Sequence, residues 1–278
     1  MTRLHTLFAV AAGFAFLGAP GAPAASDSEA TYQNLMDTRG TTLVTVKFVL
    51  KVSGGGFFAA MGDQENEQET SGVMISSQGL VLVSNTQLAG WIGMARGFLG
   101  EMGGDVSAVP TDLKVLVGDD TEGLEAELLA RDTELDLAWV KIKEPGERTF
   151  AAVDFADSAK PSPGQQLLML ARMGKYFERA LLVHELRVAG LARKPRELYV
   201  PSSAAGLGLP VYTTDGKVVG LTVFQAPETE GAGENPFAMF SQLSDMQSAA
   251  GGLILPAEEV LRATKRAQAT LAEDEEAD

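Results

Sequence analysis

Cysteine is missing from the chain, and histidine occurs only twice, at His5 and His184. The absence of cysteine excludes disulfide bonds, a thiol nucleophile, a thiolate-bound metal ion and lipid attachment to an N-terminal cysteine. Acidic residues are concentrated in DQENEQE (63–69), but this run lacks the glycine and the ligand spacing of a calcium-binding loop. We therefore expect neither a metal site nor a cofactor, and we interpret the acidic run as a solvated loop.

Positive charge is also scarce. The 278 residues contain 22 lysines and arginines against 37 aspartates and glutamates, which gives a formal net charge of −15. An acidic chain without a basic cluster is repelled by phosphate groups, so nucleic acid and anionic membrane surfaces are excluded as partners. We interpret the negative charge as a contribution to solubility.

The N-terminal residues have the pattern of a secretory signal peptide. Arg3 precedes the apolar stretch Leu7–Leu17, and a small-residue Ala-Pro-Ala site (22–24) follows, with cleavage expected after Ala24. The apolar stretch is short for a membrane span, although an uncleaved anchor is the alternative interpretation. We expect a periplasmic or secreted protein without a stable membrane span, in which His184 is the one remaining histidine.

Short β-rich runs separated by turn signals dominate the remainder of the chain. TTLVTVKFVLKV (41–52) alternates, VVGLTVF (218–224) is β-branched, and Asp215-Gly216 is a hairpin turn signal. A connector over 146–164 divides the strands into two groups. The pattern predicts an all-β fold of two barrels or sandwiches, with one terminal helix over Ala257–Leu271.

One segment departs from the β pattern. In QLAGWIGMARGFLGEMGG (87–104), apolar residues recur at helical spacing, while the glycines at positions 90, 93, 97 and 100 weaken the helix. Two interpretations stay open: a glycine-rich helix that packs on a barrel, and an exposed apolar surface that contacts a partner or lipid.

Three segments, in this order, resemble the HtrA (Deg) family of trypsin-like serine proteases. SGVMISSQGLVLVSNTQLAG (71–90) resembles the segment that carries the catalytic histidine of the family. ELDLAWVKI (134–142) resembles the segment of the catalytic aspartate, and AGLGLPVYTTDGKVVGLTVF (205–224) resembles the nucleophile turn and its hairpin. The resemblance extends over residues 40–270 and implies two six-stranded antiparallel β-barrels with a short C-terminal helix.

The resemblance also implies a division of the chain. The family's frequent C-terminal PDZ domain is not matched, and homo-oligomer formation stays open because family members often form trimers. The expected segments are a signal peptide (1–24), a linker (25–40), a first barrel (41–148), a second barrel (149–256), a C-terminal helix (257–272) and an acidic tail (273–278).

The residues at the family's catalytic positions differ from the family pattern. Thr86 stands where the resemblance implies the histidine, and Leu207 stands where it implies the nucleophilic serine, while Asp136 matches the aspartate. Ala205 and Leu207 stand at the positions whose N–H groups form the oxyanion hole in the family. A leucine cannot attack a carbonyl, and a threonine hydroxyl cannot act as a general base near neutral pH.

These differences lead to the expectation that the chain is not an enzyme but a pseudoprotease. It would bind a protein or peptide partner in the cell envelope as a scaffold or regulator. Two alternatives are an active endopeptidase that uses the displaced residues Ser203 and His184, and a surface-interaction protein that uses the 87–104 segment.

Overall fold

Two closed barrels of six antiparallel strands form the protein. A computed structural model describes residues 27–54, 64–90, 106–225 and 252–277 of the chain. The predicted fold class, two six-stranded antiparallel β-barrels with a C-terminal helix, is confirmed. The predicted signal peptide and all but the first four residues of the 87–104 segment lie outside the described residues. Within the described ranges, no helix has the length and apolar character that a membrane span requires.

The first barrel has the strand order β1-β2-β3-β6-β5-β4. Its core contains Val44, Val46 and Phe48 of β1, because alternate residues of a strand face the same side of the sheet. The strands are β1 Leu43–Gly54, β2 Gln64–Met74, β3 Leu80–Ser84, β4 Val106–Leu116, β5 Leu124–Asp132 and β6 Leu137–Ile142.

The second barrel has the order β10-β11-β12-β9-β8-β7. Its β10–β11 hairpin turns at Gly216, which has a φ of 82° and donates its N–H to the Thr213 carbonyl at 2.9 Å. The strands are β7 Gln166–Arg172, β8 Leu181–Ala192, β9 Leu198–Pro201, β10 Pro210–Thr213, β11 Val218–Val223 and β12 Leu253–Pro256.

Both ends of the described chain are more helical than expected. Helix α1, Asp27–Arg39, occupies most of the predicted linker 25–40, and its Leu35 is buried in the core cluster that includes the second barrel. Helix α2, Ala257–Ala277, continues through residues predicted as an acidic tail. Glutamate and alanine have high helix propensity, so the charged residues extend the helix instead of ending it.

Residues 64–69 of the acidic run do not form a loop. From Gln64 onward it belongs to β2, which pairs with β1. Strand alternation places three glutamates on one face, where each has a basic partner. The pairs are Glu65 with Lys51 at 3.1 Å, Glu67 with Lys47 at 2.9 Å and Glu69 with Arg179 at 2.6 Å.

Arg172, at the end of β7, connects the second barrel to the start of the first. Its guanidinium donates to the carbonyls of Leu43 at 3.0 Å, Gly40 at 3.2 Å and Arg179 at 3.0 Å. Burial lowers the pKa of the Arg172 guanidinium. A half-buried cation with three carbonyl acceptors is costly to remove, because the acceptors then lose their partners.

We expect Arg172→Met to lower the free energy of unfolding by about 2–4 kcal/mol, because three carbonyls lose a charged donor. Arg187→Met is the matched control, since the exposed Arg187 side chain donates to a single carbonyl, that of Gly164. The control should change stability by less than about 1 kcal/mol. Urea unfolding measures both values, and equal losses in the two variants would contradict the role given to Arg172.

Candidate functional site

Asp136 is the centre of the site that the two barrels share. It immediately precedes β6 and is buried, with 2% of its surface exposed. Its Oδ1 accepts the Thr86 backbone N–H at 2.6 Å, and its Oδ2 accepts the Ser84 hydroxyl at 2.9 Å. The same Oδ2 accepts the backbone N–H of Phe224 at 2.8 Å. One carboxylate therefore connects β3 and β6 of the first barrel to the end of β11 in the second.

The backbone of Asp136 is also unusual, with a φ of 58° in the left-handed region that aspartate and asparagine tolerate best. Burial raises the pKa of the Asp136 carboxyl, and the hydrogen bonds from Phe224, Thr86 and Ser84 act in the opposite direction. Ionisation of this group inside the protein therefore depends on all three donors being in place.

The glycine-flanked turn of the second barrel lies against the first barrel beside this carboxylate. Gly208 has a φ of 70°, and a Cβ atom added there would lie 3.0 Å from the Ser84 backbone nitrogen. Its N–H donates to the Thr222 carbonyl at 2.7 Å, which ties the turn to β11. The close approach to Ser84 and the left-handed backbone explain why glycine stands at this position.

The predicted site residues therefore occupy one region. Thr86 and Asp136 are hydrogen-bonded to each other, and Leu207 lies next to the glycine that contacts Ser84. Leu207 is half-buried, whereas Ala205 is buried. Ala205 is not among the residues with a positive φ. The groups that the structure brings together here are one carboxylate, hydroxyls and backbone N–H groups.

The alternative catalytic residues are not brought together by hydrogen bonds. His184 is exposed on β8 and faces Met169 of β7 across the sheet. The Ser202 hydroxyl accepts the backbone N–H of Arg187 at 2.9 Å, which gives it a structural partner. Ser203 is exposed, and within the described part of the chain no hydrogen bond links it to His184.

A cavity of about 290 Å³ opens between the barrels near this site. Ser71, one of its lining residues, has its carbonyl close to Gly208, and Gln87 follows Thr86 directly. The Thr70 hydroxyl donates to Gln87 Oε1 at the cavity wall. The remaining lining includes Phe48, Gln68, Glu69, Arg172, Met173 and Gly174.

Sequence reasoning missed Ser84 and the backbone N–H of Phe224. Ser84 could have been found from strand alternation, because it lies two residues before Thr86 and close to the same carboxylate. The Phe224 contact has no sequence signal, because it depends on how the two barrels pack against each other.

The comparisons with known proteins agree with this geometry. A family model described as a trypsin-like peptidase domain matches residues 70–221, which is more than half of the chain. The crystal structure of Deg5 is similar with a TM-score of 0.53 at 17% identity, covering 85% of this chain and 93% of that one. A structure of a variant of the HtrA-type protease AlgW with a tripeptide has a TM-score of 0.50 at 15% identity, covering 84% of this chain and 62% of that one. No curated protein matches the chain significantly.

The matched family model confirms the trypsin-like peptidase part of the resemblance, and the similarity to Deg5 and AlgW shows that the fold is shared with HtrA (Deg) proteases. The prediction that the chain is not an enzyme is wrong. That prediction rested on two side chains, Thr86 and Leu207. The match over residues 70–221 is to a peptidase domain, and a similar structure is that of an HtrA-type protease. Two substituted side chains do not remove a chain from a family that the whole matched domain defines.

We expect Gly208→Ala to destabilise the protein by about 2–4 kcal/mol, because a methyl group must enter the contact with Ser84 in a left-handed backbone. Gly216→Ala is the matched control: its φ is 82°, but a Cβ atom there meets nothing within 4 Å. The control should lose about 1 kcal/mol from backbone strain alone. Urea unfolding compares the two, and equal losses would show that the turn does not abut the first barrel.

Asp136→Asn keeps the side-chain shape and the tolerance of a left-handed backbone but removes the ionisable group. Because the pKa of Asp136 is raised on folding, its stabilising contribution is fully present below the unfolded pKa, near 4, and is lost as pH rises through the folded pKa. The free energy of unfolding of the wild type, relative to the variant, should therefore fall as pH rises above about 4. Urea unfolding at a series of pH values measures this difference. A difference that rises as pH increases above about 4 would contradict the raised pKa.

Proposed function

Because the chain belongs to the trypsin-like peptidase family, we propose that it binds an extended polypeptide segment between its two barrels. The observation that carries the proposal is the position of Gly208, the residue after Leu207, which lies against Ser84 and close to the carbonyl of Ser71, a residue that lines the interbarrel cavity. An extended segment needs little more than backbone partners and room for alternate side chains, and this region provides both.

The character of the cavity supports a peptide more than a compact apolar ligand. The residues that line it include the polar Gln68, Thr70 and Gln87 and the charged Arg172. Polar walls and amide-like partners suit a main chain, whereas small-molecule sites are usually lined by apolar side chains.

The partner would be an exported protein or peptide of the cell envelope, for which the chain acts as a scaffold or regulator. The N-terminal pattern around Arg3 and Leu7–Leu17 supports export. The formal net charge of −15 supports a polypeptide partner over nucleic acid, because it repels phosphate and attracts basic segments.

Binding of reduced, unfolded casein tests the proposal. Leu207→Arg places a long charged side chain next to Gly208, in the turn that approaches Ser84 and Ser71, and should weaken binding by about tenfold or more, since a buried or crowded cation is costly. Leu191→Arg is the control, because Leu191 is a comparably accessible leucine on β8, 37% exposed and not among the residues that line the cavity.

Fluorescence anisotropy gives the affinities, and gel electrophoresis of the same samples shows whether bound casein is also cleaved. Binding that is equally strong in wild type and Leu207→Arg, or no binding by the wild type, would contradict the proposal.

A further inference from the structure

One edge of strand β2 has no partner strand over most of its length among the described residues. β2 pairs with β1 from Gln64 to Val73, but with β3 only from Gly72 to Met74. The edge of β2 on the β3 side is therefore unpaired by any described strand over residues 64–71. Seven residues of strand, 65–71, span roughly 20 Å.

The direction of the backbone groups on this edge follows from the short β2–β3 ladder. The Ile75 N–H donates to the Leu80 carbonyl at 2.8 Å, so Ile75 faces β3. Alternate residues of a strand present their N–H and C=O groups to the same edge. Ser71, Glu69, Glu67 and Glu65 therefore present their backbone groups to the open edge, while the intervening residues are paired with β1.

The open edge leads into the interbarrel cavity. Glu69, Thr70 and Ser71 line the cavity, and Gln87 and Arg172 stand among its other lining residues. We propose that this edge is where the polypeptide binds, as an added strand along residues 65–71 of β2; this inference rests on the binding function proposed above. The main chain of the ligand pairs with alternate residues of β2, and its end near Ser71 enters the cavity.

The side chains of β2 select the chemistry of the ligand. Glu65, Glu67 and Glu69 share one face, and the first two have side chains that are 63% and 54% exposed. Residues of an added strand that lie opposite these glutamates project onto the same face, where opposite charges are favourable. The ligand is therefore an extended segment with lysine or arginine at every second position.

The opposite edge of this sheet is built differently. β4 pairs with β5 only at Lys114 and Val115, but its outer part contains Pro110 and Asp112, whose φ is 50°. A proline and a left-handed residue interrupt regular pairing, which is a common way of protecting an edge from other strands. β2 contains no proline, so only the negative charges of its glutamates keep other strands from pairing with its open edge. A basic strand neutralises those charges and can therefore pair with β2.

Peptide backbone methylation tests strand addition directly. The probe is a ten-residue peptide of alternating lysine and threonine, compared with one of alternating glutamate and threonine. The basic peptide should bind at least about tenfold more tightly than the acidic one, because the exposed carboxylates of Glu65 and Glu67 can accept a second basic partner beside Lys51 and Lys47, whereas they repel a glutamate. N-methylation of one alternate set of amides should abolish binding and methylation of the other set should not, since one set alone faces β2. Equal effects of the two methylated sets, or equal binding of both charge patterns, would overturn the proposal.

Two substitutions at Glu67 separate backbone pairing from charge. Glu67→Ala and Glu67→Pro both lose the ion pair with Lys47, but the proline alone removes the outward N–H of the open edge. Alanine should weaken binding of the basic peptide about threefold and proline at least about tenfold more than alanine. Identical affinities of the basic peptide for the two folded variants would contradict strand addition. If the proline variant does not fold, the methylated peptides test strand addition instead.

The outcomes distinguish this inference from the function on which it rests. Casein binding that is lost in Leu207→Arg but unchanged in Glu67→Pro would retain the proposed function and reject the β2 edge. Absence of binding by the wild type to both casein and the basic peptide would reject both.

Discussion

The buried carboxylate of Asp136 is the interaction on which the arrangement of the two barrels depends. It accepts hydrogen bonds from Ser84 and Thr86 in the first barrel and from Phe224 in the second. A carboxylate without water needs such donors to remain ionised, so the donors and the charge hold each other in place. The left-handed backbone at Asp136 shows that the chain adopts a disfavoured conformation to aim this group across the interface.

The binding region is built around these hydrogen bonds of Asp136. They fix the end of β3, and the end of β3 in turn sets the position of Gly208 and the half-buried Leu207. Arg172 fixes the other wall, since two of its three carbonyl bonds, to Gly40 and Leu43, attach the end of β7 to the beginning of the first barrel. The cavity and the open edge of β2 therefore lie between two rigid attachments, which is a suitable setting for a strand-like ligand.

Local patterns in the sequence predict the barrels well and their periphery poorly. The hairpin at Asp215-Gly216 and the alternation over 41–52 follow from turn chemistry and strand periodicity, and both recur in the structure. The prediction of a loop over the acidic run 63–69 is wrong, because a polar strand is recognisable only from its partners, which here are Lys47 and Lys51 on β1 and Arg179 between β7 and β8. Thr86 and Asp136 could be located through the family resemblance, whereas the Phe224 contact and the open β2 edge depend on packing between distant segments.

Amide hydrogen exchange, resolved residue by residue by NMR, tests the central claim that a polypeptide pairs with β2 between the barrels. Addition of the basic peptide should slow the exchange of Glu65, Glu67, Glu69 and Ser71, whose N–H groups face the open edge. The intervening amides, already bonded to β1, should change little. Exchange that is unchanged at these four residues under saturating peptide, or slowed only elsewhere in the protein, would contradict the account.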